Sequence, residues 1–365
     1  MKVVLASSDS AARPDSPTHD SSATTGNTTG DGQSVRQCSA EGSTLVAEFV
    51  GDSVRVVEMR LDGTPLRTLY QYEGRARVTF DAAWKHAIAD AGWIDLTTGR
   101  TRPITHAQDY SPRLFRDATT MVASRAVGEE DVPWKRKVDI RELTTDSLVV
   151  SFTGFAPAVE DDGSVLFLQV PAPKKKAGEE NEMPAYVDIA RWTRRGIAQL
   201  KRIELSEEGG PYAVTDVVPL PNGGYAYRVY DEHEYRYFDA SGRPFFPGLG
   251  HFIDSDSGRV SKEQNSLVAS RDGKLAAYTE RSWNQLTYLV VVDLKSGRRI
   301  QTPYYGSFPR IYGNRVLFVS DPSFVLGGND LSFRQIKKFA LYAYDVPSGS
   351  LCLIATMPKP ALIEQ

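Results

Sequence analysis

From Cys38 onward, apolar residues fall in short runs of the kind that form strands, each broken within a few residues by Gly, Asp, Asn or Pro. No segment holds a helical period for more than about two turns. The pattern predicts an all-β chain. Three runs end alike: Trp93-Ile94-Asp95-Leu96-Thr97-Thr98-Gly99, Val291-Val292-Asp293-Leu294-Lys295-Ser296-Gly297 and Ala343-Tyr344-Asp345-Val346-Pro347-Ser348-Gly349. This ending describes a hairpin turn. The carboxylate accepts hydrogen bonds from backbone N–H groups just ahead of it, and the glycine takes the positive φ that closes the loop.

Weaker copies stand at Glu142-Leu143-Thr144-Thr145-Asp146, Glu204-Leu205-Ser206-Glu207-Glu208-Gly209, Asp239-Ala240-Ser241-Gly242 and Asp62-Gly63. The seven acidic anchors, at 62, 95, 142, 204, 239, 293 and 345, are on average about 47 residues apart, the size of a four-stranded propeller blade. Seven anchors predict seven blades, with six or eight as the alternatives. The longest interval contains Pro171 to Pro184, which carries Lys174-Lys175-Lys176 and Glu179-Glu180 and reads as a solvated loop. In the clearest repeat, Arg271-Asp272-Gly273 turns the chain into a strand from Lys274 to Glu280. A strand apolar on both faces follows from Tyr288 to Leu294, then an edge strand from Arg298 that Pro303 is expected to stop.

This repeat, Ser270-Arg271-Asp272-Gly273-Lys274-Leu275-Ala276-Ala277-Tyr278 followed by Leu289-Val290-Val291-Val292-Asp293-Leu294 and Ser296-Gly297, resembles that of the TolB-like and WD-repeat-like β-propellers. The family's turn is Ser-Pro-Asp-Gly-Lys before an inner strand; here Arg271 stands where proline is usual. Segments Ala340 to Leu353 and Ala91 to Ile104 share the second half only. The resemblance implies a propeller across Cys38 to Pro358 and a rigid binding face, and says little about activity.

Residues 1–37 are rich in Ser, Thr, Asp, Gly and Pro and read as a disordered tail ahead of a propeller at 38–358, with a short C-terminal tail at 359–365. Met1-Lys2-Val3-Val4-Leu5-Ala6 looks like a signal peptide in miniature, but its apolar run is shorter than the roughly 7 to 15 residues a working signal uses. A Ser/Thr-rich leader nevertheless favours an exported protein over a cytoplasmic one. Cys38 precedes the first strand and Cys352 lies after the last anchor, so closing a ring brings them close and a disulfide is expected; two separate buried thiols are the alternative. A formal net charge of −3 gives no reason to expect a nucleic-acid surface, and no apolar stretch is long enough to span a membrane. A monomer is expected.

No G-x-S-x-G or H-E-x-x-H motif occurs, and no cofactor is predicted. Asp231-Glu232-His233-Glu234 reads as a charged turn between aromatic strands. Asp254 and Asp256 form half of a calcium loop, a weak metal candidate that lacks a third acid and the closing glutamate. Most aromatic residues are assigned to packing between blades. Trp134 beside Lys135 and Arg136, together with Trp283, Tyr304 and Tyr305, make the candidate contact surface. The leading reading is a non-catalytic propeller that offers a rigid face to a protein or cell-envelope partner. The alternatives are a propeller hydrolase or lyase with carboxylates at the mouth of the central channel, and a small-ligand or ion sensor.

Overall fold

The structure, a computed structural model, describes residues 35–73, 78–89, 92–105, 109–128, 132–172, 184–205, 214–229, 234–244, 263–281, 287–320 and 339–357. Their strands form seven antiparallel sheets, the blades of a seven-bladed β-propeller. Blade 1 holds β1 (Ser43–Val50), β2 (Ser53–Arg60) and β3 (Pro65–Glu73). Blade 2 holds β4 (Thr79–Phe80), β5 (His86–Ala89), β6 (Gly92–Asp95) and β7 (Thr101–Arg102). Blade 3 holds β8 (Tyr110–Phe115), β9 (Thr120–Ala126), β10 (Arg136–Glu142) and β11 (Ser147–Thr153). Blade 4 holds β12 (Phe155–Val159), β13 (Val165–Gln169), β14 (Tyr186–Thr193) and β15 (Gly196–Glu204). Blade 5 holds β16 (Val214–Leu220), β17 (Gly224–Val229) and β18 (Tyr235–Phe238), and a bridge from Phe238 to Pro244 begins its outer position. Blade 6 holds β19 (Glu263–Ala269), β20 (Leu275–Arg281), β21 (Thr287–Asp293) and β22 (Arg299–Tyr305). Blade 7 holds β23 (Ser307–Tyr312), β24 (Arg315–Ser320), β25 (Phe339–Asp345) and β26 (Ser350–Met357).

The expected turns form as their chemistry requires. Asp95 Oδ1 accepts the N–H groups of Thr97 (2.8 Å) and Thr98 (3.2 Å). Asp293 Oδ1 accepts those of Lys295 and Ser296, both at 2.9 Å, and Asp345 Oδ1 accepts that of Ser348 at 3.0 Å. Gly99, Gly297 and Gly349 close the loops at φ of 70°, 71° and 67°. The apolar residue after the acid has its own task. It gives its N–H to the carbonyl just ahead of the blade's second strand: Leu96 to Lys85, Leu143 to Thr119, Leu294 to Lys274 and Val346 to Asn314. Leu61 does the same to Gly42, which precedes β1. So β1 occupies a second-strand position, and among the described residues blade 1 has no inner strand.

Three details differ from the sequence reading. Glu204 ends the outer strand β15; the turn between the third and outer strands of blade 4 is Thr193-Arg194-Arg195-Gly196, which lacks the acid and was invisible to that pattern. The Asp272-Gly273 turn leads out of the inner strand β19 into the second strand, β20. Pro303 lies within β22, because an outermost strand has a free edge on which no donor is needed.

The core is divided among the blade interfaces. Seven buried apolar clusters lie one between each pair of neighbouring blades; Leu45, Val56, Phe80 and Ala87 join blades 1 and 2, and Val138, Phe152, Phe167 and Trp192 join blades 3 and 4. Each large side chain so buried contributes about 1.5–3 kcal/mol. The seventh cluster, with Cys38, Val46 and Leu61 against Leu317, Leu341 and Ile354, packs blade 1 on blade 7 and closes the ring.

That seam carries the Cys38–Cys352 disulfide, which spans 314 residues of chain. Leu353 N–H donates to Arg36 O and Cys38 N–H to Leu353 O, so a short parallel bridge runs along the outer edge of β26. The Gln37 amide donates to Asp62 O (2.6 Å) in blade 1 and Ile354 O (2.7 Å) in blade 7. Gly63 makes the approach possible, since a Cβ there would overlap the Ile354 carbonyl oxygen.

Two outcomes follow. In the chain-entropy account, the Cys38→Ser/Cys352→Ser protein loses about 6 kcal/mol, read as a lower guanidinium midpoint; a midpoint equal to that of the oxidised protein contradicts this. The Thr98 hydroxyl and the Ser296 N–H are the chief groups holding the carboxyls of Asp95 and Asp293 below the ordinary value of 3.8. A carboxyl lowered by folding stabilises above about pH 4 and stops doing so as pH falls through its folded value. Asp95→Asn/Asp293→Asn should therefore lower Tm at pH 7 and make the decline between pH 4 and pH 2 shallower.

Candidate functional site

Antiparallel order places the inner-to-second and third-to-outer connections on one face of the ring and all others on the opposite face. The first face is built of tight turns. The longest connections, 127–135, 170–185, 205–213, 245–262 and 321–338, all join strand ends at the opposite face.

The inner turns of the first face surround the axis and enclose a cavity of about 460 Å³. Four carboxylates reach it: Asp81 from blade 2, Asp117 from blade 3, and Glu160 and Asp161 from blade 4. Arg116 and Arg271 bring positive charge.

Asp81 Oδ1 accepts the N–H groups of Lys85 (2.7 Å) and His86 (3.0 Å), and its Oδ2 lies 2.9 Å from His86 Nδ1. Asp117 accepts the Thr119 N–H at 2.9 Å. Burial works against its charge, but hydrogen bonds from Thr119 and Thr120 outweigh it and hold the carboxyl below the ordinary range. Glu160, 8% exposed, receives both Nε (2.6 Å) and Nη2 (2.8 Å) of Arg191. Burial nonetheless pushes its carboxyl above the usual 4.5. Asp117 and Asp161 are both exposed, and Asp161 faces Arg271 of blade 6 at 4.0 Å.

The arginines tie turn to turn around the ring. Arg116 of blade 3 donates through Nε to Gly163 O of blade 4 at 2.6 Å, and Arg191 of blade 4 donates to Gly223 O of blade 5 at 2.7 Å. Arg271 passes the blade 5 turn to reach blade 4. General acid–base chemistry at a channel mouth needs two carboxyl groups with separated pKa values and free lone pairs facing a substrate. Here Asp81, Asp117 and Glu160 each serve their own turn or a neighbouring arginine.

Trp134 and Lys135 sit in the 3-10 turn Pro133–Lys135 on the opposite face; Trp134 is half-buried against the cluster between blades 4 and 5, and Lys135 is exposed. Arg136 donates to Ser124 Oγ at 3.2 Å. Tyr304 packs edge-on to Tyr344, and Tyr305 donates to the Tyr288 hydroxyl at 2.9 Å, both near the end of β22 in blade 6. The structure thus puts the Trp134 group and the tyrosine pair on separate blades. Trp283, Asp231 to His233, Asp254 and Asp256 lie outside the described residues. Trp84, Trp93 and Trp192 belong to clusters between blades, as expected of the aromatic set.

The mouth residues do not stand out in the hydrophobic pattern, although the sequence carries a signal for them. Glu160-Asp161-Asp162-Gly163 has the same x-x-Asp-Gly form as Ser270-Arg271-Asp272-Gly273 and makes the equivalent turn, with Gly163 N–H on Glu160 O and Gly273 N–H on Ser270 O.

Comparison with known proteins agrees with this architecture. No family model and no curated protein matches the chain by sequence. Among solved structures, the β-propeller domain of the Trilobed protease from Pyrococcus furiosus, described as having an open velcro topology, aligns over 89% of this chain and 98% of its own, with TM-score 0.54 and 10% identity. The Pseudomonas aeruginosa periplasmic gluconolactonase aligns over 88% and 97%, with TM-score 0.50 and 13% identity. TolB from Acinetobacter baumannii aligns over 87% and 79%, with TM-score 0.39 and 13% identity. The chain is a seven-bladed β-propeller, and likeness at this identity concerns the fold alone.

Removing Arg191 should show how the mouth is held. Arg191→Met leaves Glu160 buried without its cation, at a cost of about 3–5 kcal/mol, and Glu160→Gln added to it should recover most of the loss. A carboxyl raised by folding makes stability fall as pH climbs through the window above 4.5. The deficit of Arg191→Met should therefore grow between pH 4 and pH 7, measured by urea denaturation.

Proposed function

We propose that this propeller is a non-catalytic scaffold that presents its tight-turn face to a protein or cell-envelope partner, outside the cytoplasm. The observation that carries the reading is the commitment of three of the four mouth carboxylates: Asp81 and Asp117 to their turns and Glu160 to Arg191. Side chains that tie one blade's turn to the next spend their polar capacity on rigidity, and a pre-organised surface loses little entropy when a partner docks. The disulfide supports an oxidising compartment. Among the described residues no helix is long and apolar enough to cross a membrane.

The test places a photo-crosslinking amino acid at Arg195 or Asp272 on the turn face, and at Lys135 on the opposite face, in cells that produce the chain. One discrete partner should be captured from the first two positions and not from Lys135. Capture from Lys135 alone moves the contact to the Trp134-Lys135-Arg136 surface. A hydrolase or lyase activity abolished by Glu160→Gln overturns the non-catalytic reading.

A further inference from the structure

The turn face carries a second concavity, away from the axis, between the outer parts of blades 3 and 4. It has a volume of about 630 Å³ and shares Arg116 with the mouth. Its floor is Trp192, and its walls are Val149 and Val150 on β11 and the Thr193-Arg194-Arg195-Gly196 turn. We infer that this groove binds an extended acidic segment of the partner, with carboxylates on Arg194 and Arg195 and an aliphatic side chain over Val149 and Ile197. The inference rests on the partner-binding reading and names the chemistry of what is bound.

The first observation is charge. Three guanidinium groups, of Arg116, Arg194 and Arg195, line the groove against a single carboxylate, Glu142. That acid is already taken, since Glu142 Oε1 accepts the Thr144 hydroxyl at 2.7 Å. Arg116 is fixed from beneath by Gly163 O and lies 5.2 Å from the centre of the Trp192 ring. Arg194 and Arg195 make no ion pair among the described residues; they occupy a turn whose counterparts in blades 2, 6 and 7 begin with an aspartate. Planar guanidinium groups beside an indole suit carboxylates, which they bind in a bidentate fashion.

The second observation is apolar exposure. Among the described residues six large hydrophobic side chains are exposed; one of them, Val149 (57%), lines the groove, and another, Ile197 (48%), directly follows its Gly196. Ile197 is the cross-strand partner of Trp192, so the two share a sheet face and Ile197 extends the apolar floor outward. Both β11 and β15 are outermost strands whose outer edges face solvent. An apolar strip flanked by arginines favours a segment that alternates acidic and aliphatic residues, as an extended peptide does on one side.

The probe is a pool of fluorescein-labelled hexapeptides that alternate glutamate with Val, Leu or Phe, titrated with the full chain and read by anisotropy. Binding should weaken at least tenfold in Arg194→Glu/Arg195→Glu, and at least threefold in Val149→Ser/Ile197→Ser. Pools with lysine for glutamate, or serine for the apolar residues, should bind at least tenfold more weakly. All four substitutions are at exposed positions, and an unchanged Tm verifies that the variants fold. No binding of the acidic pool, equal binding by the arginine variant, or equal binding of the lysine pool overturns the assignment. If the pool fails while the crosslinker at Arg195 still captures a partner, the acidic-segment assignment falls and the partner-binding reading stands.

Discussion

Everything in this molecule depends on sheets packing face to face around a ring that must close. Each blade is apolar on both faces and can bury them only against two neighbours, so no blade is complete until the last meets the first. Six of the seven interfaces are helped by the covalent chain that runs from one blade to the next. The seventh, between blades 7 and 1, has no such help, and there the structure concentrates its special chemistry. A disulfide, a parallel bridge at the edge of β26, the two-sided amide of Gln37 and the bare backbone of Gly63 all act on this one seam.

Closure also explains the turn face. Once the blades are fixed radially, their tight turns are brought together around the axis, and charged side chains from different blades come within reach. In this chain those charges are used to bind turn to turn. Arg116 and Arg191 reach backbone carbonyls of the next blade and Arg271 faces Asp161 of blade 4, while Glu160 is held by both Nε and Nη2 of Arg191. The surface that results is stiff at its centre. Its outer part carries the exposed side chains of Arg194, Arg195, Val149 and Ile197, where the proposed acidic segment would dock.

The fold was legible because one turn repeats with its chemistry intact. Asp95, Asp293 and Asp345 each need a carboxylate, a short polar spacer and a glycine at fixed offsets, so the motif survives in the sequence wherever the geometry is unmodified. Blade 4 was misplaced because its turn, Thr193 to Gly196, replaces the acid with Thr193, whose hydroxyl accepts the Arg195 N–H instead. The pairing of Cys38 with Cys352 was legible from their places at the two ends of a closing ring, together with the composition of the tail. The functional surface was much less legible. Periodicity tells which residues are buried, but which exposed residues meet across blades depends on how neighbouring sheets are rotated, and Arg271 and Asp161 are about 110 positions apart in the chain. Trp134 stands out for its basic neighbours, whereas in the sequence Arg194 and Arg195 are ordinary turn residues and only the packing of blade 3 against blade 4 puts a groove beside them.

The account makes the seam between blades 1 and 7 the point on which the ring depends, and hydrogen–deuterium exchange of the oxidised and reduced protein tests this most directly. With Cys38–Cys352 reduced, amides of β1, β2, β25 and β26 should exchange faster while those of β9, β10, β13 and β14 keep their protection under native conditions. Equal acceleration in all blades, or none at the seam, would contradict it.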